Sequence, residues 1–213
     1  MNRAVLFVST FMLLNPALLQ SQSDRILMDG EFSDWEDVSY LYEDAVGDVA
    51  AGGVDFEGLK ILNDETFLYL YIELNFEINL QESLNSTLYI DTDNNSATGL
   101  AIGSIGAELT WNFAAKSGMF YTGNNSTVIG HPDLRLRTFP TVSSEIFEIS
   151  IGLDSKPDGL NDLFTGNTIS VLFEDADNFD MLPDLGANLL YTIQPVDLEP
   201  IMPIRISPPI FRT

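Results

Sequence analysis

"FEGLKILNDETFLYLYIEL", residues 56–74, carries two apolar arms around Asn63, Asp64 and Glu65. In the second arm Leu68, Leu70, Ile72 and Leu74 occupy one set of alternate positions, and Phe67, Tyr69, Tyr71 and Glu73 the other. Successive side chains of a strand point to opposite faces, so period two puts the aliphatic set on the core side. Asn and Asp tolerate the bent backbone of a tight turn, and the whole stretch predicts a β-hairpin.

The same texture runs outward in both directions. "STLYID" (86–91), "GAELTWNF" (106–113), "GMFYTG" (118–123), "STVIG" (126–130) and "LRLRTF" (134–139) read as strands, as do "EIFEISI" (145–151), "TISVLFED" (168–175) and "LLYTI" (189–193). In "EIFEISI", Phe147, Ile149 and Ile151 point one way while Glu148 and Ser150 point the other. No stretch of ten or more residues repeats its apolar positions at helical spacing. "DGLNDLF" (158–164) comes nearest, with room for one or two helical turns. The expected fold is all-β: an antiparallel two-sheet sandwich, jelly-roll or immunoglobulin-like, of about ten strands.

The 213 residues divide unevenly. A basic start, the apolar run 4–19 and the polar exit "QSQSD" are the pattern of a secretory signal peptide over residues 1–22, with cleavage near 20–23. Ser9, Thr10, Asn15 and Pro16 interrupt the run, leaving it short of the roughly 18 apolar residues of a membrane span. The expected domain covers 24–194, long enough to bury close to about 70% of its unfolded surface without disulfides; there is no Cys. Residues 195–213 hold Pro195, Pro200, Pro203, Pro208 and Pro209. Proline at this density resists sheet pairing, which fits either a tail or a linker into a downstream domain. The expected location is secreted, periplasmic or cell-surface.

Charge narrows the partners. There are 32 Asp and Glu against 9 Lys and Arg, a formal charge of -23. Such a chain repels phosphate backbones, which argues against nucleic acid. Cations, neutral ligands such as glycans, and basic proteins remain. The acids are clumped: residues 29–48 hold eight and residues 173–184 hold five, with no base in either. Catalysis finds little to build on. His131 is the single His, followed by Pro132, and no G-x-S-x-G, H-E-x-x-H or C-x-x-C pattern is present. The chain is expected not to be an enzyme.

"LYIDTDNNSATG", residues 88–99, ends a strand in a burst of short oxygen-bearing side chains. Three readings fit it: a metal loop, a ligand-facing loop, or a solvated turn built from Asp and Asn for their geometry. Calcium takes six to eight oxygen ligands. Asp91, Asp93 and Asn95 alternate as in the first half of an EF-hand loop, but Ser96 replaces its glycine and Ile102 its bidentate glutamate. Further ligands must therefore come from other loops. The candidates are Asp29, Asp34, Asp44 and Asp48 in one acidic cluster and Asp175, Asp177, Asp180 and Asp184 in the other, with Ca2+ the expected ion.

"ILMDGEFSDWEDV" (26–38), with Asp29, Gly30 and Trp35, resembles the opening of the family 9 carbohydrate-binding modules and their wider relatives. The 56–74 hairpin, with its Leu68–Tyr69 pair, the 88–99 strand and loop, "IGAELTWNF", "EIFEISIGL" and "DMLPDLG" (180–186) resemble that family's later segments, in order. The resemblance implies a β-sandwich, extracellular placement and structural calcium. It also implies sugar binding, through two aromatic residues that clamp a terminal ring in sugar-binding members. The aromatic candidates are Trp111, Tyr121 and Trp35, the last also suited to packing in the opening turn. The expected function is an exported, non-catalytic carbohydrate-binding-type module stabilised by calcium. The alternative is an N-terminal structural or interaction module of a secreted multidomain enzyme or surface assembly.

Overall fold

The computed structural model describes residues 26–195, except 48, 50–52, 83–84, 178–179 and 185. The expected signal segment 1–22, the Pro-rich stretch from 196 onward and Asp48 lie outside the described residues. In chain order the strands begin with β1 (Tyr42–Glu43), β2 (Phe56–Asn63), β3 (Phe67–Ile78), β4 (Ser86–Asp91) and β5 (Leu100–Ile102). They continue with β6 (Ile105–Ala107), β7 (Leu109–Asn112), β8 (Ser117–Thr122), β9 (Asn125–Ile129) and β10 (Arg137–Phe139). Last come β11 (Ser144–Gly152), β12 (Thr168–Asp175), β13 (Asp180–Leu182) and β14 (Leu190–Thr192). A 3-10 turn, Ser33–Trp35, and one α-turn, His131–Leu134, complete the described elements.

Two antiparallel sheets form the sandwich. One runs β1-β2-β3-β11-β10; the other runs β13-β12-β4-β7-β8-β9, with β14 also pairing β12. β5 and β6 make a separate hairpin. The β2–β3 hairpin closes as its sequence demands. Asn63 pairs with Leu68, and the Asp64 carboxylate accepts the N–H groups of Thr66 and Phe67, both at 2.7 Å. Leu68, Leu70, Ile72 and Leu74 all enter the interior, facing Leu88, Ile90, Leu109 and Trp111 of the second sheet. Phe147, Ile149 and Ile151 join them. Phe173 is the aromatic hinge of this core, stacked on Phe113 at 6.4 Å and tilted on Phe56 at 5.9 Å.

Three local expectations are corrected. "GAELTWNF" is two strands, broken at Glu108. "LRLRTF" is a strand only from Arg137. Before it, Pro132 sits in the first turn of the helix and Asp133 caps the Gly130 N–H at 2.8 Å, which favours a turn over extension. "DGLNDLF" makes turns rather than a helix, because the Asp158 carboxylate accepts the N–H groups of Leu160 and Asn161. Several of the fourteen described strands hold two or three residues, which is why the chain shows more than its longer alternating stretches suggest.

The outer face of the first sheet is not solvated. Tyr69 and Tyr71 are buried beneath the opening segment, in a second cluster with Ile26 and Trp35. Trp35 tilts on Tyr71 at 5.5 Å, and Phe32 meets the same ring edge-on at 5.8 Å. Buried Lys60 donates to the Trp35 carbonyl at 2.9 Å, its ammonium 4.6 Å and 4.8 Å from the rings of Tyr40 and Tyr71. The carbonyl and the two ring faces are the partners of this buried ammonium.

Glu148 pins the segment from the sheet side. Fully buried on β11, it accepts the Gly30 N–H at 2.9 Å and the Trp35 indole N–H at 3.5 Å. Gly30 has φ +83°, a conformation that L side chains rarely adopt. Burial pushes the Glu148 carboxyl up to about 7, outweighing the two hydrogen bonds, with Asp34 and Asp29 adding to the rise. The fold therefore binds this proton more tightly than the unfolded chain does. Its contribution to stability is complete below the ordinary value of 4.5 and is lost as pH rises through about 7. Melting wild type beside Glu148→Gln from pH 4.5 to 8 checks this: wild type should lose stability across that range relative to the variant. Parallel profiles would contradict it.

Candidate functional site

The acidic loop is built on its own backbone. β4 delivers Asp91 to the sheet end, where its Oδ1 accepts the Asn95 N–H at 3.0 Å and its Oδ2 accepts the Gly106 N–H at 3.3 Å. The Asn95 carbonyl accepts both the N–H and the hydroxyl of Thr98, at 3.0 Å and 2.8 Å. The Thr98 hydroxyl also lies 3.1 Å and 3.2 Å from the two Asp93 oxygens. Glu108, at the break between β6 and β7, reaches in from the neighbouring strands. Its Oε2 accepts the Thr92 N–H at 2.9 Å and the Thr92 hydroxyl at 3.3 Å.

One ligand oxygen each from Asp91, Asp93 and Glu108 lies within 4.8 Å of the others, the one such grouping among the described residues. Two features set it apart from a fully solvated turn. Glu108 is only 9% exposed, yet its Oε1 is buried with no hydrogen-bond partner. Burial pushes the carboxyls of Glu108 and Asp93 up, and the charge of Asp91 raises both further. Crowded buried carboxylates without a base are costly unless something positive joins them.

Asp93 and Glu108 line a cleft of about 380 Å³ with Tyr121, Leu160, Asn161 and Asp162. The Tyr121 N–H donates to the Glu108 carbonyl at 2.8 Å, fixing β8 beside the acid. The Gly166 N–H donates to the Thr92 carbonyl at 3.2 Å, tying the segment after β11 to the loop. Gly106 is the tight joint of this loop. A Cβ there would sit 2.1 Å from the Thr98 carbonyl oxygen and 2.8 Å from that of Asn95, both backbone atoms that cannot swing away. Gly106→Ala should therefore push the loop off Asp91, cost more than about 2 kcal/mol of stability, and abolish any cation-dependent rise in melting temperature. A variant that melts like wild type would contradict this packing.

The remaining expected site residues scatter. Asn95 shapes the loop, its side-chain oxygen turned to the Ala97 N–H at 3.2 Å. Trp111 and Trp35 are each 0% exposed, so neither can offer a ring to a ligand, and that expectation is corrected. Trp111 fills the core with His131 edge-on at 4.6 Å, and Trp35 packs beneath the opening segment. Tyr121 is the aromatic candidate that reaches the cleft.

Asp29 and Asp34 belong to the opening segment, where Asp29 caps the Glu31 N–H and Asp34 the Leu27 N–H. Asp44 accepts the Ala45 N–H. Three residues on from Asp44, the Gly47 N–H donates to Asp55 at 2.6 Å, while Asp180 accepts the Phe56 N–H at 2.6 Å. Both acidic clusters thus touch the start of β2, one through Gly47 on Asp55 and the other through Asp180 on Phe56, but these bonds bring no acid of one cluster to an acid of the other. Asp175 is buried on β12, accepting the Asp177 N–H, and Asp177 and Asp184 are exposed. Glu108 was not legible as a site residue. It alternates with Leu109 and Trp111 and reads as solvent-facing, and the loop after β4 packs over it.

No protein-family model matches the chain, and no curated protein does. Among solved structures it is similar to a carbohydrate binding module family 9 protein from Caldicellulosiruptor kristjanssonii in complex with cellotriose. The identity is 14%, the match covers 84% of this chain and 95% of that one, and the TM-score is 0.45.

Proposed function

We propose that this chain is an exported, non-catalytic carbohydrate-binding-type module whose acidic cleft holds Ca2+. The observation that carries the reading is the orphaned Glu108 Oε1, buried within reach of two further carboxylates on the wall of a cleft. The donor set suits the ion. All three groups supply hard oxygens, and no His or Cys belongs to the grouping. Asp91, Asp93 and Glu108 would hold the cation, which supplies the positive charge that offsets their mutual repulsion. Residues 1–22 support export.

Retardation on a polysaccharide affinity gel, with no product released from the same glycan, is the expected result. No retardation across a broad panel, or steady product release, would overturn it. The interior position of both tryptophans favours a second reading, an interaction module tethered through the Pro-rich stretch 195–213. That reading expects calcium binding with no glycan retardation.

A further inference from the structure

We infer that the cleft selects neutral polyols, whose adjacent hydroxyls complete the coordination of the carboxylate-held cation while their C–H face lies on Tyr121 and Leu160. This rests on the calcium reading of the same site. Three carboxylates leave a calcium ion short of its six to eight oxygens. Asp93 and Glu108 both form part of the cleft lining, so the positions this chain leaves open face the cleft rather than the core. A pair of neighbouring hydroxyls fits that need.

The rest of the lining has the same two-sided character. Thr98, Thr122 and Thr165 supply hydroxyls, and Asn161 an amide. Tyr121 supplies a ring, and Leu160, 75% exposed, supplies an apolar surface that no described residue covers. A sugar ring, polar at its rim and apolar on its face, matches both. Charge sets the limit. With a divalent cation among three carboxylates the site keeps one negative charge. Asp162 adds another, offset by its 2.7 Å ion pair with Lys156. Uronates and other anions meet repulsion, and a cationic ligand competes with the metal for the same oxygens.

Shared occupancy makes the effect reciprocal: the factor by which the metal tightens the polyol must equal the factor by which the polyol tightens the metal. The test is calorimetric titration of the full chain in four arms: CaCl2 alone, a neutral oligosaccharide in Ca2+, the same oligosaccharide in chelator, and CaCl2 into protein saturated with it. A fifth arm uses an oligouronate in Ca2+. The expected outcome is neutral binding at least about tenfold tighter in Ca2+ than in chelator, an equal gain for Ca2+ in the presence of sugar, and weaker uronate binding. Tyr121→Ala should lose the sugar and keep the Ca2+ affinity measured alone.

Equal neutral affinity with and without Ca2+, tighter uronate binding, or sugar affinity unchanged in Tyr121→Ala would each overturn the inference while leaving a calcium-stabilised module intact. Absence of a CaCl2 signal in the first arm would instead remove the calcium reading on which the inference rests.

Discussion

Trp111→Ala should unfold this protein some ten degrees or more below wild type. Removing a fully buried aromatic costs about 3–5 kcal/mol, through lost transfer energy and the cavity left behind. For a domain of this length each kcal/mol lowers the melting temperature by roughly 2–4 °C, which places the drop at about 6–20 °C, centred above ten. Trp111 is the right residue to ask. Leu109, Trp111 and Phe113 all point inward, and the indole lies beneath His131 in the space between the sheets. Tyr121→Ala is the control. Its ring is only partly buried on the cleft wall, so its stability change should stay within about 1 kcal/mol. A large drop for Tyr121→Ala with none for Trp111→Ala would reverse the assignment of core and cleft.

Calcium at 100 times its Kd should stabilise the protein by about 2.7 kcal/mol, or roughly 5–10 °C at this size. The sharper expectation is a crossing. In chelator, Glu108→Gln should melt at or above wild type, because it removes a charge that burial and two neighbouring carboxylates make costly. In Ca2+ the order should reverse, because the variant has lost a ligand charge. The pH dependence also changes sign. Without metal, the raised carboxyls of Glu108 and Asp93 contribute stability that is lost as pH rises through their folded values. With metal, acid instead weakens the protein, because the ligands must be deprotonated to bind. Scanning calorimetry of both proteins in both buffers reads all four states, and parallel shifts in the two proteins would contradict the assignment of Glu108.

The sheets were legible because their signal is local. The aliphatic face of β3 and the inward set of β11 follow from alternation alone, and both lie in the core. What alternation could not show was anything covered by a distant segment. Tyr69, Tyr71 and Glu148 occupy nominally outward positions, and residues 26–38 bury them. Glu108 is the same case at the site: the loop after β4 turns an outward glutamate into a buried one. Asp91 and Asp93 were readable, because an acidic burst at a strand end is itself a local pattern. The tryptophans misled for the opposite reason. The family resemblance of the sequence implies a ring clamp, yet each tryptophan sits at a position the packing needs.

The most direct test of the central claim is titration of Ca2+ into chelator-stripped wild-type protein and into Glu108→Gln, followed by calorimetry. Saturable binding by wild type, weakened at least about tenfold in the variant, is the predicted result. Heats no larger than dilution in wild type, or identical isotherms for the two proteins, would contradict it.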